Sequence, residues 1–76
     1  MTIHVRFFAS LRERTGIDSK TVDADGLHSI RDLWCALTDE PLDETTLVAV
    51  NKTYAGPDHT ITDGDEVAFF PPITGG

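Results

Sequence analysis

The sequence predicts an α+β fold, a mixed β-sheet with one main helix packed on one face. Three observations predict it. Residues 2–9 alternate apolar and polar side chains with period two, as a half-buried strand does. Ile30, Leu33, Trp34 and Leu37 recur at i, i+3, i+4 and i+7, the apolar stripe of an amphipathic helix. Glu66 to Phe70 is a strongly apolar strand near the end of a 76-residue chain. A chain of this length makes one domain, 1–76, with residues 71–76 expected to be a flexible Gly-Gly tail.

In the first strand Ile3, Val5 and Phe7 take one face, and His4, Arg6 and Phe8 the other. Ala9 to Gly16 reads as a short helical turn or loop closed by glycine. Ser19 to Ala24 forms a second strand whose only strongly apolar residue is Val22, which suits an edge position. Asp25-Gly26 marks a turn. Ser29 is the predicted N-cap of the helix, and Asp32 completes a capping box with the shorter acid. Pro41 disfavours helix at Glu40, so the helix ends near Thr38 or Asp39.

A polar connector leads to Leu47-Val48-Ala49-Val50, apolar enough to lie inside a sheet. A short strand comes next around Tyr54, then the tight turn Thr62-Asp63-Gly64-Asp65 and the last strand. A hairpin, a helix and a C-terminal strand in this order form a β-grasp arrangement, with first and last strands as parallel central neighbours.

Composition narrows the function. Thirteen acidic against six basic residues leave a net charge of −7, without the basic footprint of a nucleic-acid binder. An acidic surface instead favours basic protein partners. No window reaches the ~18 apolar residues of a membrane span, and no leader pattern opens the sequence, so the expected location is the cytoplasm. A lone Cys35 forms no internal disulfide, lies in the helix off the Ile30–Leu37 stripe with no histidine nearby to activate it, and reads as a small semi-buried residue. His4, His28 and His59 lack ligand spacing, and Asp63-Gly64-Asp65 is too short for a calcium loop, so no metal site and no bound cofactor are expected.

The stretch after the last strand carries the chemistry. Pro71-Pro72 cannot donate to a sheet ladder and favours extended backbone, so it ends the strand and aims the tail. Pro71 to Gly76, if extended, reaches roughly 20 Å at ~3.3–3.6 Å per residue. Gly75 and Gly76 have no side chain, so this end of the chain can enter a narrow channel. The alternative is a loose end with incidental glycines. Alternation also puts Phe8 with Ala68 and Phe70 on the sheet face away from the helix, a candidate partner patch. A loop folded over the pair is the alternative.

Val5-Arg6-Phe7-Phe8-Ala9, Arg12-Glu13, Val48-Ala49-Val50-Asn51 and the run from Thr62 to Gly76 together resemble the ubiquitin-like sulfur-carrier family, in its molybdopterin synthase small-subunit branch. Asp63-Gly64-Asp65-Glu66-Val67 leading into Phe69-Phe70-Pro71-Pro72 and Gly75-Gly76 is the most specific part. The resemblance implies that a ubiquitin-activating-type enzyme uses ATP to adenylate the Gly76 carboxylate, which then becomes a thiocarboxylate. It implies that Pro71, Pro72, Ile73, Thr74, Gly75 and Gly76 enter partner active sites, among them that of the large catalytic subunit of molybdopterin synthase. There the sulfur goes into the molybdopterin dithiolene, starting from a cyclic pyranopterin monophosphate. A heterotetramer of two carriers on a dimeric large subunit is implied in the same way.

Such a chain is not an enzyme on its own. Arg12 matches a family position beside the Phe8, Ala68 and Phe70 surface; a solvated arginine is the other reading. Two other functions stay open: a ubiquitin-like modifier conjugated to lysines through Gly76, and a sulfur carrier for another pathway such as thiamine synthesis. The Phe69-Phe70-Pro71-Pro72 stretch argues for the molybdopterin branch, and the absence of an Arg-rich run before Gly-Gly argues against ubiquitin itself.

Overall fold

The computed structural model describes residues 1–72, and the tail positions Ile73, Thr74, Gly75 and Gly76 lie outside them. Among the described residues five strands and two helices succeed one another: β1 (Thr2–Phe7), α1 (Ser10–Thr15), β2 (Ser19–Asp23), α2 (Ile30–Leu37), β3 (Leu47–Val50), β4 (Thr53–Tyr54) and β5 (Glu66–Phe70). The strands form one mixed sheet in the order β2-β1-β5-β3-β4. β1 and β5 are parallel neighbours at its centre, and the other pairs are antiparallel. The predicted β-grasp arrangement is the observed one.

The period-two pattern of β1 buries Ile3, Val5 and Phe7 and leaves Thr2, His4 and Arg6 exposed. Their neighbours in register, Val67 and Phe69 of β5 and Val48 and Val50 of β3, face the same core. From above, α2 contributes Ile30, Leu33 and Trp34. Phe7, Trp34 and Phe69 meet as an aromatic cluster with ring centroids 5.1–5.9 Å apart. The Trp34 indole N–H donates to the Glu40 carbonyl at 2.8 Å, so the buried ring keeps its one polar group paired.

The helix begins as predicted. Ser29 Oγ accepts from the Asp32 N–H at 3.2 Å while Asp32 accepts from the Ser29 N–H at 3.2 Å, a reciprocal capping box. It ends at Thr38, in extended conformation.

Three details refine or correct the sequence reading. The short helical turn or loop expected over Ala9 to Gly16 is a six-residue helix, α1. It starts after Ala9, whose φ of 52° ends β1, and closes on Gly16 at φ 74°. Its Leu11 is buried in the same core as Trp34, so both helices lie on one side and the other face of the sheet stays uncovered. The second difference is Ala24, which lies just past β2 and is fully buried, its N–H donating to the Met1 carbonyl at 2.8 Å. The third is a correction. Cys35 is exposed, not semi-buried. At 100° per residue it lies one step past Trp34 and two past Leu33, which carries it off the stripe to the outer side of α2.

The turn before β5 also acquires a physical role. Asp65 N donates to the Thr62 carbonyl at 3.0 Å across a four-residue turn, and Gly64 takes φ 86° at its third position, a type II geometry that side chains disfavour. Asp63 accepts from the Thr2 N–H at 2.6 Å, and the Gly64 N–H donates to the Thr2 carbonyl at 2.7 Å. The turn is thereby stitched to the start of β1, which sets the parallel register of the two central strands.

Candidate functional site, the open face of the sheet and its exit strand

Side chains at successive strand positions alternate between faces, and directly paired residues share a face. The registers therefore define the uncovered face. From β5 come Glu66, Ala68 and Phe70; from β3, opposite them, Leu47 and Ala49; from β4, opposite Ala49, Tyr54. From β1 come His4 and Arg6, beside Glu66 and Ala68. Phe8 comes directly after β1, and its N–H donates to the Phe69 carbonyl at 3.1 Å, so the pairing with β5 continues one residue past the strand.

Phe8 and Phe70 stack at a centroid distance of 4.7 Å with their planes 10° apart. Both rings are half-buried, and no loop of the described residues is folded over them as a lid. The Arg6 guanidinium carbon lies 5.0 Å from the centre of the Phe8 ring, within cation–π range. A broad, shallow groove of about 660 Å³ runs over Phe8, Ala49, Ala68 and Phe70. On its far side Tyr54 is 69% exposed, the most exposed large apolar side chain among the described residues.

Of the residues singled out in the sequence, the structure thus brings Phe8, Ala68 and Phe70 together on the open face. Arg12 does not line this groove; it stands on α1 with its guanidinium 4.0 Å from the Asp18 carboxylate. Leu47, Ala49, Tyr54 and Arg6 belong to the open face and were missed, apart from the placement of Arg6 on the polar side of its strand. For Arg6 the signal was present in the alternation. For the other three it was not, because face membership there depends on how β3 registers against β5 and β4.

The exit from the sheet lies at one end of this face. The ladder between β3 and β5 runs out at the pair Leu47 and Phe70. Pro71, half-buried, and Pro72, exposed, come at once after it, and neither has an N–H to extend the ladder. β5 is thus aimed outward past the Phe8–Phe70 stack. The start of the strand is held as firmly. Asn51 Nδ2 donates to Asp65 Oδ1 at 2.9 Å, and Asn51 Oδ1 accepts from the Glu66 N–H at 3.0 Å. Asn51 and Lys52, both at positive φ, form the two-residue turn between β3 and β4.

Among the described residues no group of three or more His, Cys, Asp or Glu could hold a metal ion, and no helix is long and apolar enough to cross a membrane. What the face offers is a shape: an aromatic stack, a shallow groove and a strand leaving the sheet beside them.

Comparison with known proteins gives this shape a family. The chain is 46% identical to the molybdopterin synthase sulfur carrier subunit of Escherichia coli, over 97% of this chain and 99% of that one. It is 37% identical to the protein of the same name from Chlamydomonas reinhardtii, with both chains covered completely. Among solved structures it matches SAMP1, a small archaeal modifier protein from Haloferax volcanii, with a TM-score of 0.81 and 29% identity over the full length of both chains. The model of the ThiS family matches residues 5–76. That match takes in the central strand pair, the Phe8–Phe70 stack and the exit strand alike, and the chain belongs to the ThiS family.

Proposed function

We propose that this protein is the sulfur-carrier subunit of a two-subunit molybdopterin synthase, the small partner of a larger catalytic subunit. The observation that carries the reading is the 46% identity, over nearly the whole length of both chains, to a relative named for that role. The geometry supports it. A carrier without catalytic side chains must present its end to other proteins, and β5 leaves the sheet beside an uncovered face suited to docking.

In this reading residues 1–70 are the domain and Pro71 to Gly76 the delivery arm. A carboxylate is a poor acyl donor, so it must first be activated. An oxygen of the Gly76 carboxylate attacks the α-phosphorus of ATP in a ubiquitin-activating-type enzyme, and pyrophosphate leaves. Hydrosulfide then attacks the acyl carbon, its C–S bond replacing the C–O bond to AMP, which leaves, and loss of the sulfur-bound proton gives the thiocarboxylate. Ile73, Thr74, Gly75 and Gly76 enter the active site of the large subunit, where the thiocarboxylate gives up its sulfur to the dithiolene of molybdopterin. Phe8, Ala68 and Phe70 form the docking surface, and Arg12 is a further contact made from α1, outside the groove itself. The reading places the work in the cytoplasm. It assigns no cofactor resident in this chain, and the acyl-adenylate and thiocarboxylate are covalent intermediates on Gly76.

A second reading has support of its own in the likeness to a protein named as a modifier. There Gly76 would be joined to lysine side chains of other proteins. Intact mass spectrometry of the chain purified from its native host separates the two. The carrier reading expects the mass gain of one oxygen replaced by sulfur, mapped by fragmentation to Gly76 and lost on incubation with the large subunit and precursor. Lysine-linked adducts without any thiocarboxylate would overturn it.

A further inference from the structure

The six cationic side chains of this acidic protein divide into two sets. Arg12, Arg14 and Arg31 each have a carboxylate partner within the chain: Asp18, Glu40 and Asp58. Arg6, Lys20 and Lys52 have none among the described residues, although the chain carries 13 acidic side chains. Of these, Arg6 and Lys52 line the open-face groove, with His4 beside them and Glu66 the only carboxylate on its wall among the described residues, whereas Lys20 pairs with Val5 in register and so belongs to the helix side of edge strand β2. Two of the three unpaired cations of the described residues are therefore gathered on the face where the aromatic stack lies. Arg6 is held over the Phe8 ring at 5.0 Å, which orients a planar guanidinium while leaving its N–H edges for an acceptor.

We infer that the groove is a receptor for an acidic strip on the large catalytic subunit: carboxylates facing Arg6 and Lys52, next to apolar side chains that cover Phe8, Ala68 and Phe70. The inference rests on the docking reading above and specifies the chemistry of the partner. Charge complementarity carries it. A partner surface rich in carboxylates is repelled by a chain of net charge −7 everywhere except at this groove. The cations thus set where and in which orientation the subunit lands, and the aromatic stack sets how long it stays.

The test titrates the chain into the purified large catalytic subunit from the same host by calorimetry, at low and at raised ionic strength. The chains compared are wild type, the charge-reversed pair Arg6→Glu with Lys52→Glu, the neutral pair Arg6→Gln with Lys52→Gln, and Phe70→Ala. Circular dichroism establishes beforehand that each is folded. Wild-type affinity is expected to fall as salt rises. Charge reversal should weaken binding at least about tenfold at low salt and flatten the salt dependence, with the neutral pair in between. Phe70→Ala should weaken binding while keeping the wild-type salt dependence.

If the charge-reversed pair binds with wild-type affinity and salt dependence while Phe70→Ala still weakens binding, the cationic receptor is overturned and the docking reading stands. If wild type does not bind the large subunit at all, the docking reading falls and the receptor with it. If wild type sediments as a dimer that charge reversal dissolves, or is retained on immobilised RNA, the groove belongs to another occupant and the inference is likewise overturned.

Discussion

Asp65 accepts two hydrogen bonds, from Asn51 Nδ2 at 2.9 Å and from the Thr62 N–H at 2.8 Å, and it is the one buried charged side chain among the described residues. It closes its own turn and at the same time fastens the β3–β4 turn to the start of β5. Asp65→Ala leaves both donors without their acceptor, so it is expected to cost about 2 kcal/mol of stability, read as a lower urea midpoint with an unchanged slope. Asp65→Asn keeps one acceptor oxygen and should lose less. A midpoint unchanged in Asp65→Ala would show that the β5 register is set elsewhere. The Asp-Gly-Asp run was legible as a turn from its composition. Its partnership with Asn51 was not, because fourteen positions separate Asn51 from Asp65 and only the folded sheet brings them together.

Among the elements, α2 gives the most direct comparison between pattern and structure. Its stripe, its cap and its end near Thr38 all result from local chemistry, and each is present. Ser29→Ala should cost about 1 kcal/mol, visible as a lower thermal midpoint. The same cap makes a pH prediction. Hydrogen bonds from the His28 N–H and then the Ser29 N–H hold the Asp32 carboxyl below the usual carboxylate range. A depressed folded-state pKa means that the unfolded chain takes up its proton first as pH falls. The stabilisation is thus complete above the unfolded-state pKa and disappears as pH falls through the folded-state one. Asp43, held low by the Thr45 N–H and hydroxyl, acts in the same sense. Acid melts monitored by Trp34 fluorescence should show Asp32→Asn with a shallower loss of stability across that window than wild type. An identical loss in both would remove Asp32 from the account.

The strands were less completely legible. Alternation in β1 and β5 assigned Phe8, Ala68 and Phe70 to one face, and the structure agrees. Leu47, Ala49 and Tyr54 were beyond reach, since an apolar run such as 47–50 has no polar positions to mark which side faces out. The helical phase placed Cys35 off the Ile30–Leu37 stripe, as observed, and only its degree of burial was misjudged.

At the scale of the whole molecule, β5 is central in space although it is last in sequence. It lies between β1 and β3 and carries Val67 and Phe69 into the core. Truncation should therefore act in two very different ways. A chain ending at Pro72 keeps every strand pair and core side chain of the described residues, and is expected to melt within a few degrees of wild type while accepting no sulfur. A chain ending at Asp65 loses the strand that joins the two halves of the sheet and is expected to show no cooperative transition. Calorimetric melts of both, with intact mass spectrometry of the first after incubation with the activating enzyme, check this. A cooperative melt of the shorter chain would mean that the sheet closes without its central strand.

Phe69 and Phe70 are consecutive residues, one fully buried against Trp34 and the other stacked on Phe8 outside. A partner that grips Phe70 holds a strand whose geometry exists only while Phe69 is seated. Docking of the proposed kind would in effect be an inspection: it would admit copies with an intact interior and pass over those without one, and each bound partner would in turn bias the chain toward its folded state. Damage in the core, far from any contact surface, would then be felt by the synthase as a shortage of carrier before it was felt as an aggregate.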